Sequence, residues 1–248
     1  MKGFQAKLDV IGNNIANVNT VGYKKSTINF QDLLSQNMSG SGVNPMQVGL
    51  GSQTSAINVM HTPGSAMTTG VGTDLAIMGD GFFMVKDPAN AAGQTFLTRA
   101  GNFVVDAQGD LVTSQGYAVQ NTTGGDIRID PGTYASFSIN REGQIIGKRA
   151  NGTEDSLGTI AIANPPNPAG LRKYGGSLYE ITTASGAMNA GTATAATSMI
   201  SAGMLEMSNV DLTEEFTEMI VAQRGFQANS RTITTSDEIL QEVVNLKR

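Results

Sequence analysis

The chain has 248 residues with 16 basic and 21 acidic side chains, a formal net charge of −5, one His, and neither Cys nor Trp. Without cysteine there is no disulfide scaffold and no thiolate nucleophile or metal ligand. The acidic balance lacks the basic footprint of non-specific nucleic-acid binding. No apolar run reaches the roughly 18–20 residues that span a membrane, and the N-terminus lacks the apolar stretch of a cleaved signal peptide.

A chain of this length holds one large or two modest domains. The first predicted element is a helix over 1–19. Phe4, Leu8, Ile11, Ile15 and Val18 recur at alternating steps of four and three, the narrow stripe that packs on a partner helix. Gly12, Asn13, Asn14, Asn17 and Asn19 are poor helix formers, so the helix is marginal in isolation. Gly22 is placed to close it in the left-handed conformation. Residues 31–73, with Ser39-Gly40-Ser41-Gly42, are rich in small residues and read as an extended connector.

Residues 74–183 read as an all-β body, with strand candidates at 74–78, 81–86, 95–99, 116–120, 126–130, 158–163 and 177–182. An internal repeat lies within it: Phe103–Val112 aligns without gaps to Phe137–Ile146. Each copy is a strand, a turn opened by Asp106 or Asn140, a glycine (Gly109 or Gly143) at a positive-φ position, and a return strand. A second connector, 184–204, follows.

The last element is a long helix over Leu212–Leu246, with Asn209 or Asp211 as N-cap and Glu214 in a capping-box position. Its stripe is Leu212, Phe216, Met219, Gln223, Phe226, Ile233, Leu240 and Val244, interrupted by Ser230 and Asp237 as well as Gln223. Acidic residues crowd its first turns, and Lys247 and Arg248 sit at its end. Gly225 and the Thr232–Ser236 stretch weaken it, so it is expected to depend on partners for order. Residues 1–32 carry a net charge of +2 and 208–248 a net of −3, which favours pairing of the two ends, although each exposed ion pair is worth only ~0–1 kcal/mol. The expected organisation is therefore α+β and mainly β: a discontinuous helical domain from 1–30 and 205–248, connectors at 31–73 and 184–204, and the body.

Candidate chemistry is thin. His61, beside Thr62-Pro63-Gly64, reads as a solvated loop residue without a catalytic or metal role. The aspartates next to glycines read as turn formers. The Lys24-Lys25 pair reads as a solvated basic face or a subunit contact. No pattern calls for a cofactor or a metal. A sugar-binding module with helical oligomerisation ends is the remote rival, but it would display the Trp that this chain lacks.

The termini carry a likeness to a known family. Leu8-Asp9-Val10-Ile11-Gly12-Asn13-Asn14-Ile15-Ala16-Asn17-Val18-Asn19-Thr20, followed by Gly22-Tyr23-Lys24, resembles the bacterial flagellar hook–rod axial proteins. So do Ser208-Asn209-Val210-Asp211 and Glu214-Glu215-Phe216-x-x-Met219-Ile220. In the body, Asp80-Gly81-Phe82-Phe83, Thr98-Arg99-x-Gly101-x-Phe103 and Gly109-x-Leu111-Val112 are similar too. Met219–Arg224 and Val244–Lys247 look most like the short hook form of Gram-positive bacteria, with the distal rod as the alternative.

The resemblance implies a non-enzymatic subunit of the flagellum. It would self-assemble into the tubular hook that passes motor torque to the filament, or else into the distal rod. It implies export by the flagellar type III apparatus, contact with rod, hook-cap and junction proteins, and no membrane insertion. The terminal helices would pair into a coiled-coil-like inner domain. The assembly residues would be Phe4, Leu8, Ile11, Asn13, Asn14, Ile15, Asn17 and Val18 at one end and the C-terminal stripe at the other. Family members usually begin upstream of the position where this chain starts, and a true loss of those residues would shorten the inner helix.

Overall fold

The computed structural model describes residues 1–38, 46–88, 94–130, 132–193 and 198–246. The chain forms two units. One comprises Met1–Asn17, Lys25–Met60 and Val210–Arg248; the other, the body, comprises Val18–Lys24 and His61–Asn209.

In the first unit, helix α1 spans Lys2–Ala16. It ends at Asn17 (φ −104°), whose N–H reaches the Asn13 and Asn14 carbonyls and whose side chain bonds Asn13 again. The helix therefore stops three residues before its predicted end, because the Asn side chains compete for its last carbonyls. Gly22 does adopt a positive φ of 67°, but it serves the body rather than capping α1. Strand β1 (Ser26–Asp32) pairs antiparallel with β4 (Ser52–Val59), and between them β2 (Ser35–Met38) pairs with β3 (Met46–Gly49), making a long ribbon. Paired strands thus lie within the stretch expected to be a connector; Ser39–Gly42 lie outside the described residues.

Helix α2 spans Leu212–Leu246, 35 residues and about 52 Å at 1.5 Å per residue. Asp211 is its N-cap: the Thr213 N–H donates to Asp211 Oδ1 at 2.8 Å. Gly225 and the threonines do not interrupt it. Thr232 Oγ1 donates to the Ala228 carbonyl at 3.0 Å and Thr235 Oγ1 to that of Arg231 at 3.0 Å, so the hydroxyls are absorbed by the helix itself. Lys247 and Arg248 lie outside the described residues.

The body contains β5 (Ala66–Thr68), β6 (Leu75–Gly79), β7 (Phe82–Lys86), β8 (Thr95–Thr98), β9 (Phe103–Val105), β10 (Leu111–Thr113), β11 (Ala118–Val119), β12 (Tyr134–Ile139), β13 (Gln144–Arg149) and β14 (Glu154–Thr159). It continues with β15 (Ile162–Asn164), β16 (Arg172–Gly175), β17 (Leu178–Glu180), β18 (Asn189–Gly191), β19 (Ser198–Ala202) and β20 (Met204–Glu206). The main sheet runs β16-β17-β8-β7-β11-β10-β9, with β15 also on β7 and β18 on β15; β12-β13-β14 form a second sheet. Strands from the second expected connector pair too, β18 with β15 and β19 with β6, and β20, which begins at its last residue, pairs with β5; residues 194–197 of that stretch are outside the described set. The predicted strand at 126–130 forms only single bridges, and that at 158–163 is divided between β14 and β15. Leu75, Phe83, Val85, Phe96, Phe103, Leu111, Val119, Ile145 and Ile160 are buried in one apolar cluster.

The repeated decapeptides form the same turn. The Asp106 N–H donates to the Asp110 carbonyl and Gly109 N–H to that of Asp106, both at 2.9 Å; Asn140 with Gln144 and Gly143 with Asn140 repeat both bonds at 2.9 Å. Gly109 (φ 87°) and Gly143 (φ 78°) hold the left-handed position. The likeness extends beyond the turns: buried Ile129 donates its N–H to the Gly109 carbonyl, and buried Ile160 donates to that of Gly143. Thr113–Tyr117, Asn121–Gly125 and Arg149–Thr153 close in the same way, so the device is used more widely than the sequence repeat suggests.

Candidate assembly site

In the first unit α1 lies antiparallel to the start of α2. Phe4 packs at Gly225, Lys7 Nζ lies 3.3 Å from Glu218 Oε2, and Asn14 Nδ2 donates to Glu215 Oε2 at 3.2 Å. A Cβ on Gly225 would fall 2.7 Å from the Phe4 ring, so the missing side chain is what admits the aromatic. On α2 the buried residues are Glu215 and Ala222, while Glu218, Met219 and Gly225 are half-buried.

That face is centred one residue before the predicted stripe. Leu212, Phe216, Gln223, Phe226, Ile233, Leu240 and Val244 are all exposed, and only Met219 is partly covered. On α1, Ile11 and Asn14 are buried; Phe4, Leu8, Ile15 and Asn17 are half-buried, Asn13 is exposed, and Val18, assigned to the body, is half-buried. Small and polar residues win the α1 contact because they let the backbones approach and because Glu215 finds partners there. Residues 231–246 of α2 are exposed throughout, so no coiled coil forms along that half in the single chain among the described residues.

Asn14 also bonds both backbone groups of Ser26: Nδ2 donates to the Ser26 carbonyl at 2.9 Å, and the Ser26 N–H donates to Oδ1 at 3.0 Å. The amide side chain thereby behaves as an added strand residue alongside β1. Lys25 Nζ lies 2.9 Å from Glu214 Oε2 and 2.9 Å from Glu215 Oε1. Its pKa is raised: burial pulls it down, but the two carboxylates outweigh that. Glu214 thus serves Lys25 rather than a capping box.

The body holds a second polar cluster. Lys24 is fully buried, with Nζ 2.5 Å from Glu206 Oε1 and donating to the Thr62 carbonyl at 2.7 Å. Arg99, also buried, places Nη1 3.0 Å from Glu206 Oε2 and donates from Nη2 to the Gly79 carbonyl at 2.8 Å. The Gly64 N–H donates to Glu206 Oε1 at 3.0 Å. Gly22 donates its N–H to the Glu206 carbonyl at 2.8 Å, and a Cβ there would strike the Arg99–Ala100 backbone. Burial lowers the Lys24 pKa against the pull of Glu206. Burial opposes ionisation of Glu206 as well, but Arg99, Lys24 and the Gly64 amide overcome it and hold its pKa below the ordinary value.

Two sequence expectations change here. Lys24 is neither solvated nor a free basic face, because the segment 18–24 is threaded into the body and one buried carboxylate receives it. His61 is half-buried rather than fully solvated; its ring lies against Phe82 and Tyr179. Sequence reasoning missed Glu206 altogether. Its one signal was a lone acid between Leu205 and Met207, a pattern that asks for a buried cation.

Among the described residues, no group of three or more His, Cys, Asp or Glu side chains is placed to hold a metal ion. No described helix is long and apolar enough to cross a membrane.

Residues 1–24 match the family described as flagella basal body rod protein, residues 76–147 the flagellar hook protein FlgE/F/G D1 domain, and residues 201–246 the flagellar basal body rod FlgEFG protein C-terminal. The chain is 50% identical over 263 aligned residues to the flagellar basal-body rod protein FlgG of Bacillus subtilis, covering 100% of this chain and 96% of that one. The chain belongs to the flagellar hook–rod family. FlgG of Agrobacterium fabrum is 40% identical over 260 residues, with 100% and 96% coverage. The flagellar hook protein FlgE of Borreliella burgdorferi is 28% identical over an alignment of 434 residues, covering 100% and 97%.

As a hook–rod family protein, the chain is a structural component of the bacterial flagellum. Asn14 and Lys24 lie in the first matched segment, Arg99 in the second, and Glu206 and Glu215 in the third, while Lys25, Ser26, Thr62 and Gly64 fall between segments.

Proposed function

We propose that this chain is an axial subunit of the flagellum and that, of the two roles its family offers, it fills that of the rod. The observation that carries this reading is the 50% identity to a basal-body rod protein across the whole chain and 96% of the relative. The hook relative, at 28% identity, needs an alignment of 434 residues to accommodate sequence this chain does not have. The hook remains the second reading, supported by the hook-like residues at 219–224 and 244–247.

The subunit acts by assembling rather than by catalysis. Copies polymerise into a tube, with the exposed apolar face of α2 as the surface that meets neighbouring copies. Phe216, Ile233, Leu240 and Val244 expose 49%, 58%, 62% and 67% of their surface, apolar area whose burial stabilises by about 25 cal/mol per Å². Residues of α1 outside the intrachain contact would join that surface. Neighbouring rod, hook-cap and junction proteins, and delivery through the flagellar type III export apparatus, complete the proposal.

Deletion of the gene followed by imaging of purified basal bodies tests the role. The rod reading expects basal bodies that end short of the distal rod and carry no hook. Complete rods that lack only the hook would assign the chain to the hook instead.

A further inference from the structure

His61 is the only histidine in the chain, and the body holds its half-buried ring among aromatic rings and cationic side chains. Its ring stands edge-on to Phe82 and Tyr179, 5.4 Å between centroids in each case. One side of the ring has a hydrogen bond with the backbone of Pro168, and Nδ1 is buried with no hydrogen-bond partner. The charges facing it are Lys24, Arg99 and Lys173. Glu206 is the carboxylate of this cluster, and both its oxygens are engaged, Oε1 by Lys24 and the Gly64 N–H and Oε2 by Arg99. Tyr179 stays neutral, its pKa raised chiefly by burial. A proton on Nδ1 would therefore have no acceptor and three cations for neighbours.

The backbone next to the ring belongs to the buried cluster. Thr62, the following residue, supplies the carbonyl that receives Lys24 at 2.7 Å, and Gly64 supplies the N–H that reaches Glu206 at 3.0 Å. We propose that His61 is an acid-sensitive catch: on protonation its ring leaves the Phe82–Tyr179 pocket, the 61–64 segment follows, and the body loosens its hold on Lys24 and the 18–24 segment. The inference concerns the body and does not depend on whether the subunit serves as rod or hook.

Burial, then Lys24, Arg99 and Lys173, push the His61 pKa down to about 4, against the opposing hydrogen bond with Pro168. The unfolded chain keeps an ordinary imidazole value of about 6.5. A lowered value means that the unfolded state binds the proton more readily. The contribution is thus complete above about pH 6.5 and is lost as the pH falls from there to about 4, by up to tenfold in the folding constant per unit.

The test uses the full chain. Its single imidazole signal is followed by NMR against pH, and urea unfolding is measured from pH 7 to 4.5 for the native protein, His61→Gln and His61→Phe. The native signal should titrate near 4, and the native folding constant should fall roughly fortyfold more than that of either variant between pH 6.5 and 4.5. A native midpoint between 6 and 7, or the same pH dependence in all three proteins, would overturn the proposal. If neither variant folds, the native NMR titration decides alone.

Discussion

Lys24 Nζ lies 2.5 Å from Oε1 of Glu206, a residue 182 positions away in the chain, and the two side chains are 0% and 4% exposed. Glu206 is the counter-charge for Arg99 as well, at 3.0 Å. A buried ion pair adds little stability over an apolar pair of the same shape, but removing one partner leaves an uncompensated charge and costs ~3–5 kcal/mol. Glu206→Gln should show that full loss in urea unfolding, because it strands two cations. Lys24→Met should cost less, since Glu206 keeps Arg99 and the Gly64 amide. The reverse order would show that the carboxylate is not the centre of the cluster.

Asn14→Ala removes, among others, two hydrogen bonds to the backbone of Ser26 and one to Glu215. Unmaking bonds to buried groups costs about 1–3 kcal/mol. Hydrogen exchange should report it locally, with the Ser26 amide losing protection. An unchanged Ser26 exchange rate would mean that the side chain does not hold β1.

Two glycines on the helices should respond with opposite signs. Gly12 has nothing within 4 Å of the place a methyl group would occupy, so Gly12→Ala should stabilise by up to about 1 kcal/mol through helix propensity. Gly225→Ala gains the same propensity but places its methyl 2.7 Å from the Phe4 ring. The Phe4 ring must then give way, and exchange along residues 4–11 of α1 should accelerate. Equal stabilisation by both substitutions would show that the close approach at Gly225 does not hold the helices together.

The elements are largely legible in the sequence and their partners are not. The alternating three- and four-residue steps mark both helices, and Asp or Asn followed by Gly marks the hairpins, because these signals are local. Periodicity marks an apolar face of α2 one residue along from the intrachain contact, which instead selects small and charged residues at 215, 222 and 225. Lys24 and Lys25 look alike in sequence, yet one is buried against Glu206 and the other bonds Glu214 and Glu215. Nothing local distinguishes them; the distinction comes from residues some 180 to 190 positions away. The burial of His61 is hidden for the same reason, its pocket being built from Phe82 and Tyr179.

The absence of native cysteine makes single-cysteine cross-linking the plainest way to learn whether the exposed face of α2 joins copies in an axial polymer. Leu240→Cys and Ala222→Cys proteins would be incorporated into basal bodies and treated with a short bismaleimide. Covalent multimers are expected from Leu240→Cys, at a position 62% exposed in the single chain, and none from Ala222→Cys, at a fully buried one. If Leu240→Cys stays monomeric within assembled structures and reacts with a water-soluble maleimide as fast as a free thiol, the face is open in the polymer and does not join the copies.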